Sequence, residues 1–413
     1  MSDFGLRKKV AVKDLHFGMY VFELDRPWTE TPFMFQGFTL RTEQQLDVLR
    51  KYCEFVHVDQ ERSDTVLKPQ LGAAPAAPAR PAGPSGPLPG TRRIAHVERV
   101  EVEKELAPAR EARVQAEEKI SDVFNTVKAG GALDSGTVKT AVTRMSESIM
   151  RNPDALMLFS ALKQRGGYFL DRAMNCSIYL ISFTRFLGME QADIERAGMV
   201  GMSQDVGMLG LPEAVLQKPG PLSPEEITLV RTHVKLGEEK IHQSGMSADV
   251  AEIASQHHER EDGSGYLQNL KGSEMKVIGA CAGIVDTFGA MTTKRPYADA
   301  ISPSNVLGIM HKWKDKIFNG WLIEEFIRCI GVFPVGSVVE LNTGEVGVVI
   351  SQNTVRRLQP RVLVVRDANG NPVHPHKLLD LSKSPKASAD EPYRIRRTLE
   401  YGRSGVSAQD LFL

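Results

Sequence analysis

Asp205, His233, the adjacent His257 and His258, and Asp286 all fall within residues 201–297. No other part of the chain gathers so many metal-capable side chains. Imidazole nitrogen and carboxylate oxygen together suit borderline first-row ions such as iron, manganese, nickel or zinc. A carboxylate can bridge two such ions, and a two-metal pair activates water for in-line attack on phosphorus. One histidine on an apolar helix face is more often an ordinary core residue. It is the whole set that points to a metal centre.

The spacings place these residues on several helices. Ser223-Pro224-Glu225-Glu226 is a helix start: serine at the N-cap, proline at the first helical position, glutamate placed for a capping box. Val230, His233, Val234, Gly237 and Ile241 then follow helical spacing. In the next helix Val250, Ile253, Ala254 and His257 share a face. In the one after it Gly279, Ala282 and Gly283 form a stripe of small residues ending at Asp286, which predicts close approach to a neighbouring helix. The expected fold class is mainly α. A helical bundle over residues 155–332 carries the chemistry, between a small N-terminal α/β domain and a small C-terminal β module.

Residues 1–65 read as that first domain. Val10-Ala11-Val12 and Tyr20-Val21-Phe22 suit short strands, Thr42 caps a helix that turns Leu46 and Leu49 inward, and residues 55–59 suit another strand. Trp28, Phe33, Phe35 and Phe38 crowd one loop and read as core and docking surface. Residues 66–93 alternate proline with alanine and glycine, so neither helix nor sheet propagates and an extended linker is expected. Residues 94–154 read as a helical connector: an amphipathic stretch over 97–128 interrupted near Pro108, then a helix from Ser135 to Arg151. These helices could pair with each other or with a second subunit, giving a homodimer. After Gly331 the period becomes two, and residues 337–341, 346–350 and 361–365 read as strands of a β module spanning 333–383. His374 and His376 read as exposed loop residues without function, and 384–413 as a polar, irregular tail.

The 413 residues hold 51 basic and 51 acidic side chains, so no global field favours DNA, RNA or an anionic membrane. No apolar run of about 18 residues is present, which excludes a transmembrane segment. The first residues lack the apolar core of a signal peptide. Cys53, Cys176, Cys281 and Cys329 are scattered and read as buried thiols of a reducing compartment. A cytoplasmic location is expected.

The order of motifs resembles the HD-GYP family, bacterial enzymes that open and hydrolyse the second messenger cyclic di-GMP. The resemblance is carried over residues 155–330 by Val215-Leu216-Gln217-Lys218-Pro219-Gly220-Pro221-Leu222, by the helix of His233, by His257-His258-Glu259-Arg260-Glu261-Asp262-Gly263-Ser264-Gly265-Tyr266, and by Arg295-Pro296-Tyr297. Residues 8–60 look like the small domain that often precedes it, with Gly18-Met19-Tyr20-Val21 and Pro27-Trp28 matching, and the terminal β module is a common companion. The resemblance implies an HD-type bundle. It implies one metal position held by Asp205, His233, His257 and His258, and a second built on the positions of Arg172, Gln204, Asp205 and Asp286. It also implies cyclic di-GMP as ligand and the Gly265-Tyr266 loop as a nucleotide contact or a surface for signalling proteins, where Tyr266 could equally anchor the turn. Arg295 could grip a phosphate or guanine of the dinucleotide, or cap a helix or close a loop.

The departures matter as much. The family's paired His-Asp is Gln204-Asp205, and the lysine three residues later, thought to hold substrate phosphate, is Met208. The upstream histidine is Arg172, the proline of the Gly-Tyr-Pro triplet is Leu267, and the second acidic residue after Asp286 is Gly289. A guanidinium has no lone pair to give, and an amide oxygen is a weak ligand. Arg172 and Gln204 are therefore degenerate ligand positions. The expectation is that Arg172 takes the missing ion's electrostatic place by pairing with Asp205 or Asp286, that a chain binds one metal (Fe, Mn, Ni or Zn) or none, and that no catalytic residue is assigned. The leading reading is a degenerate member that binds the dinucleotide or partner proteins. Its alternatives are an active phosphodiesterase using one metal, and a scaffold binding neither metal nor nucleotide.

Overall fold

The computed structural model describes residues 7–26, 38–40, 42–59, 93–162, 167–293, 300–353 and 355–399. They fall into two compact units, within residues 1–82 and 83–413. The expected linker, Arg93 apart, lies outside the described residues, as do Trp28, Phe33 and Phe35.

The first unit holds β1 (Arg7–Ala11), β2 (Tyr20–Leu24), β3 (Phe38–Thr39), α1 (Glu43–Tyr52) and β4 (Phe55–Asp59). The strands form an antiparallel sheet in the order β1-β4-β2-β3. Helix α1 starts where Thr42 and Gln45 cap each other: the Gln45 N–H donates to Thr42 Oγ1 at 3.3 Å and the Thr42 N–H to Gln45 Oε1 at 3.1 Å. Leu46 and Leu49 then join Val21, Leu40, Val56 and Val58 in the core. Val12, expected in the first strand, belongs instead to a tight turn, Val12–Asp14.

The second unit begins with α2 (Val102–Lys128), α3 (Ser135–Arg151), α4 (Pro153–Leu162), α5 (Tyr168–Phe186), α6 (Gln191–Ser203) and α7 (Glu213–Leu216). It continues with α8 (Pro224–Arg231), α9 (His233–Gln243), α10 (Ala248–Ala254), α11 (Val277–Thr292), α12 (Pro303–His311) and α13 (Gly320–Ile330). Helix α2 starts at Val102 rather than 97 and runs through Pro108 without the expected break. Pro108 stands on the exposed face, so the carbonyl it deprives of a helical N–H faces solvent. Two buried polar groups fasten α2. Glu105 accepts hydrogen bonds from Ser148 and Arg151 of α3, and Arg113 pairs with Glu117 and donates to Ser160 of α4.

Helix α5 is the spine of the bundle, with Met174, Ile178, Leu180, Ile181 and Phe183 buried. Helix α6 crosses it at Gly201, where a Cβ would stand 2.7 Å from the Cys176 and Ser177 backbone. Only glycine permits that approach, and it brings the end of α6, with Gln204 and Asp205, against α5. Phe326 of α13 meets Phe183 and Phe288 edge to face, holding α11 on the other side.

The β module holds β5 (Val338–Leu341), β6 (Val346–Ser351), β7 (Arg361–Arg366), β8 (Pro372–Asp380) and β9 (Ile395–Leu399), antiparallel in the order β8-β7-β6-β5-β9. Strand β9 comes from the segment expected to be irregular. It forms because Tyr393 and Ile395 enter the module's core while Arg396 and Arg397 pair with Glu340 of β5. His374 and His376 lie on the edge strand β8, not in a loop; an edge tolerates the proline between them. Asp154 of α4 joins bundle to module, accepting from Ser351 Oγ at 2.7 Å and the Gln352 N–H at 2.9 Å. Among the described residues no helix is long and apolar enough to cross a membrane. All four cysteines are free thiols.

Candidate metal centre

Asp205 follows α6 and opens a tight turn, Val206–Gly210. That turn lies against the start of α9: a Cβ on Gly207 would stand 2.0 Å from the His233 carbonyl oxygen and 2.6 Å from the Gly237 nitrogen. The capping box at Ser223 is present, but the single helix expected after it is two helices. The break at Thr232 puts His233 at the first position of α9. There His233 Nδ1 donates to the Val230 carbonyl at 2.6 Å. His257, in the turns after α10, does the same to the Ala254 carbonyl at 2.6 Å.

A carbonyl can only accept, so in both rings Nδ1 carries the hydrogen and Nε2 is left with a lone pair. The two Nε2 atoms face each other at 3.3 Å. Asp205 Oδ1 stands 3.6 Å from one and 3.7 Å from the other. It is buried and has no hydrogen-bond partner. Facing lone pairs repel unless a proton or a cation lies between them. Metal–nitrogen arms of about 2.1 Å at a tetrahedral angle would separate two donor atoms by about 3.4 Å, close to what is seen. Asp205, His233, His257 and His258 each offer a ligand atom within 4.8 Å of the others. The donor set fits a first-row divalent ion.

The electrostatics agree. Burial pushes the His233 ring below its ordinary range and, helped by the other two rings, His258 further still, so both stay neutral and able to ligate. Burial would raise the Asp205 carboxyl, but the Arg172 guanidinium beside it prevails and holds it well below the usual carboxylate range.

Arg172 of α5 defines the other half of the site. Its Nε donates to Asp205 Oδ2 at 2.6 Å, and its Nη2 to Asp286 Oδ1. It pairs with both carboxylates, where one partner was expected. Burial works against its charge, and the two carboxylates more than offset that. Gln204 is buried and turns its amide nitrogen to Asp286 Oδ1 at 3.3 Å. It therefore donates to a carboxylate through its nitrogen, while its Oε1 is buried without a hydrogen-bond partner among the described residues. Asp286 arrives as its small-residue stripe predicts: a Cβ on Gly283 would stand 3.0 Å from the His257 carbonyl oxygen, and one on Gly279 2.6 Å from Gln256 Oε1.

Tyr266 turns inward. Its ring stacks on His258 with centroids 4.7 Å apart and 22° between planes, and the Arg231 guanidinium lies over the same ring, 4.9 Å from its centroid. The exposed apolar side chain of that loop is Leu267. Buried Glu259 ties the loop down, accepting from the Gln268 and Leu270 N–H groups at 2.6 and 3.0 Å. Arg295 lies outside the described residues. The sequence reading missed Gly207 and Arg231. A glycine two residues after a candidate ligand is a weak signal for one, and a basic residue two before a candidate ligand for the other.

Three family models match in succession: a domain of unknown function (DUF3391) over residues 7–138, an HD domain over 157–320, and a KOW domain associated with HD domains over 338–391. A cyclic di-GMP phosphodiesterase of Pseudomonas aeruginosa is 29% identical over 380 residues, covering 91% of this chain and 89% of the relative. One of Thermotoga maritima is 31% identical over 144 residues, 34% of this chain and 39% of the relative. A solved HDGYP-type protein of Bdellovibrio bacteriovorus aligns with a TM-score of 0.46 and 13% identity, over 78% of this chain and 98% of that one. The succession of domains, together with a relative aligned along nearly its whole length, says what the site is similar to: the chain carries an HD domain followed by a KOW domain associated with HD domains, and it resembles the cyclic di-GMP phosphodiesterases of the HD-GYP type.

Proposed function

We propose that this chain works in cyclic di-GMP signalling as a degenerate HD-GYP protein, which binds the dinucleotide or partner proteins and hydrolyses little or none of it. The observation that carries the reading is Arg172 between Asp205 and Asp286. It supplies one positive charge where a second ion would need lone pairs. Asp205, His233, His257 and His258 would hold a single iron, manganese, nickel or zinc ion. Such an ion supplies Lewis acidity toward a phosphoryl oxygen. The protein's own part is to keep the His233 and His258 rings neutral, to turn Nε2 of His233 and His257 toward the ion by holding each Nδ1 on a carbonyl, and to keep Asp205 ionised.

Elemental analysis of protein purified without chelator should find at most one metal per chain; two per chain would sink the reading. Cyclic di-GMP hydrolysis with added manganese or iron should be slow in the wild type. It should rise, together with a second bound metal, in the double change Arg172→His, Gln204→His. The convergence of four intact donors favours a second reading, an active one-metal phosphodiesterase, and rapid wild-type turnover with one bound ion would establish it. Absence of both binding and turnover leaves the scaffold. A cytoplasmic location fits all three readings.

A further inference from the structure

We infer that Arg231 is an anion-binding residue at the mouth of the site, gripping a phosphodiester oxygen in the role that Met208 cannot fill. The inference rests on the reading of the site as one for a phosphodiester. Three cations stand beside the cluster among the described residues, and two are committed. Arg172 is held by Asp205 and Asp286. Arg260 donates to the His257 and Glu259 carbonyls at 3.1 and 2.7 Å and lies over Phe318. Arg231 is exposed and makes no hydrogen bond or ion pair among the described residues. Its one partner is the ring of Tyr266, which also stacks on the candidate ligand His258.

A cation–π contact of this kind matters for recognition. It consumes no hydrogen bond, so the guanidinium keeps its planar fork of donors, suited to two oxygens of one phosphate. The ring also removes much of the freedom an exposed arginine would lose on binding. Two ring separations, 4.9 and 4.7 Å, then carry that fork to a side chain of the candidate metal centre.

The test compares the full chain with Arg231→Ala and Arg231→Lys, and with Arg196→Ala as a half-buried arginine elsewhere, paired with Asp193. Calorimetry with cyclic di-GMP and, separately, with inorganic phosphate measures affinity; elemental analysis checks that metal content is unchanged. Losing a charge-assisted fork should weaken both ligands about tenfold or more in Arg231→Ala. Arg231→Lys should fall in between, keeping the charge without the fork, and Arg196→Ala should match the wild type. Arg231→Ala affinities within about twofold of wild type for both ligands would overturn the inference and leave the proposed function standing. Phosphate binding that depends on Arg231, without any dinucleotide binding, would support the inference and leave only the partner-protein form of the proposed function. Binding of neither ligand by the wild type would overturn the inference and the dinucleotide form of the proposed function together.

Discussion

The two oxygens of Asp205 look into two halves of one cage. Oδ1 faces His233 and His257 and has no hydrogen-bond partner, although it is buried. Oδ2 is bonded to Arg172, which also holds Asp286, itself bonded to Gln204. The first half is a set of acceptor atoms whose types and spacing fit a divalent cation. The second is satisfied by a side chain. A carboxylate placed to bridge two ions would leave both oxygens available, and here one is already used. The difference teaches that one carboxylate can serve a cation built into the chain through one oxygen and keep the other among donors that fit an ion.

The sharpest way to break this comparison is to remove the built-in cation. Arg172→Met should leave two buried carboxylates unpaired and cost about 3–5 kcal/mol in urea denaturation with chelator present. Added manganese should restore more of that loss in the variant than it adds to the wild type, since an ion can then enter the emptied half. Equal stability of variant and wild type in chelator would show that the arginine is not what satisfies Asp205 and Asp286.

A third buried carboxylate serves as control. Asp154 accepts two hydrogen bonds from neutral donors, Ser351 and the Gln352 N–H, and burial prevails over both, raising its pKa from 3.8 to about 6. Asp205, with a guanidinium bonded to it, moves the other way. The native state thus holds the Asp154 proton more tightly than the unfolded chain. Its contribution is full below about pH 4 and is lost as pH rises towards 6. At neutral pH the ionised group should cost about 3 kcal/mol. Glu98 adds to the rise and Arg185 opposes it. Asp154→Asn should remove the slope, so its stability relative to wild type should grow between pH 4 and 7. A flat difference across that range would mean that the neutral donors suffice, and that the Asp205 contrast needs another cause.

The reach of the sequence differs between the two halves for a physical reason. Asp205, His233, His257 and His258 are visible because few residue types can ligate, and their order along the chain resembles a known family. Arg172 is visible only as a departure from that family, because an arginine carries no signature of its partners. What stays hidden is the geometry of backbones. Periodicity runs one helix through Val230 and Val234, whereas the chain breaks at Thr232 and leaves the Val230 carbonyl to the His233 imidazole. Likewise β9 is masked by its arginines, whose partner Glu340 is distant in sequence.

Gly207 joins the halves, so a substitution there should disturb both. A Cβ would stand 2.0 Å from the His233 carbonyl oxygen, a backbone atom that cannot rotate away. Gly207→Ala should therefore force the Asp205 turn off α9, at about 1–3 kcal/mol of stability. It should also lower metal content measurably, because Asp205 Oδ1 and His233 Nε2 would separate. Unchanged metal binding would mean that the Oδ1 half tolerates spreading, and that its 3.3 and 3.6 Å separations are not set by this contact.

The smallest effect separates helix stability from site geometry. The Ser223 N–H donates to Glu226 Oε2 at 2.6 Å and Ser223 Oγ accepts from the Glu226 N–H at 3.2 Å, the cap that starts α8. Ser223→Ala should cost about 1 kcal/mol and fray the first turn of α8. His233 lies beyond the Thr232 break, on α9, whose fit against Gly207 the change leaves alone. Metal affinity should therefore hold while thermal stability falls. If calorimetric titration with manganese shows affinity falling with the cap, then α8 reaches the site through Val230, whose carbonyl orients the His233 ring. The histidine half would then depend on a helix end that the arginine half, fastened through α5 and α11, does not need.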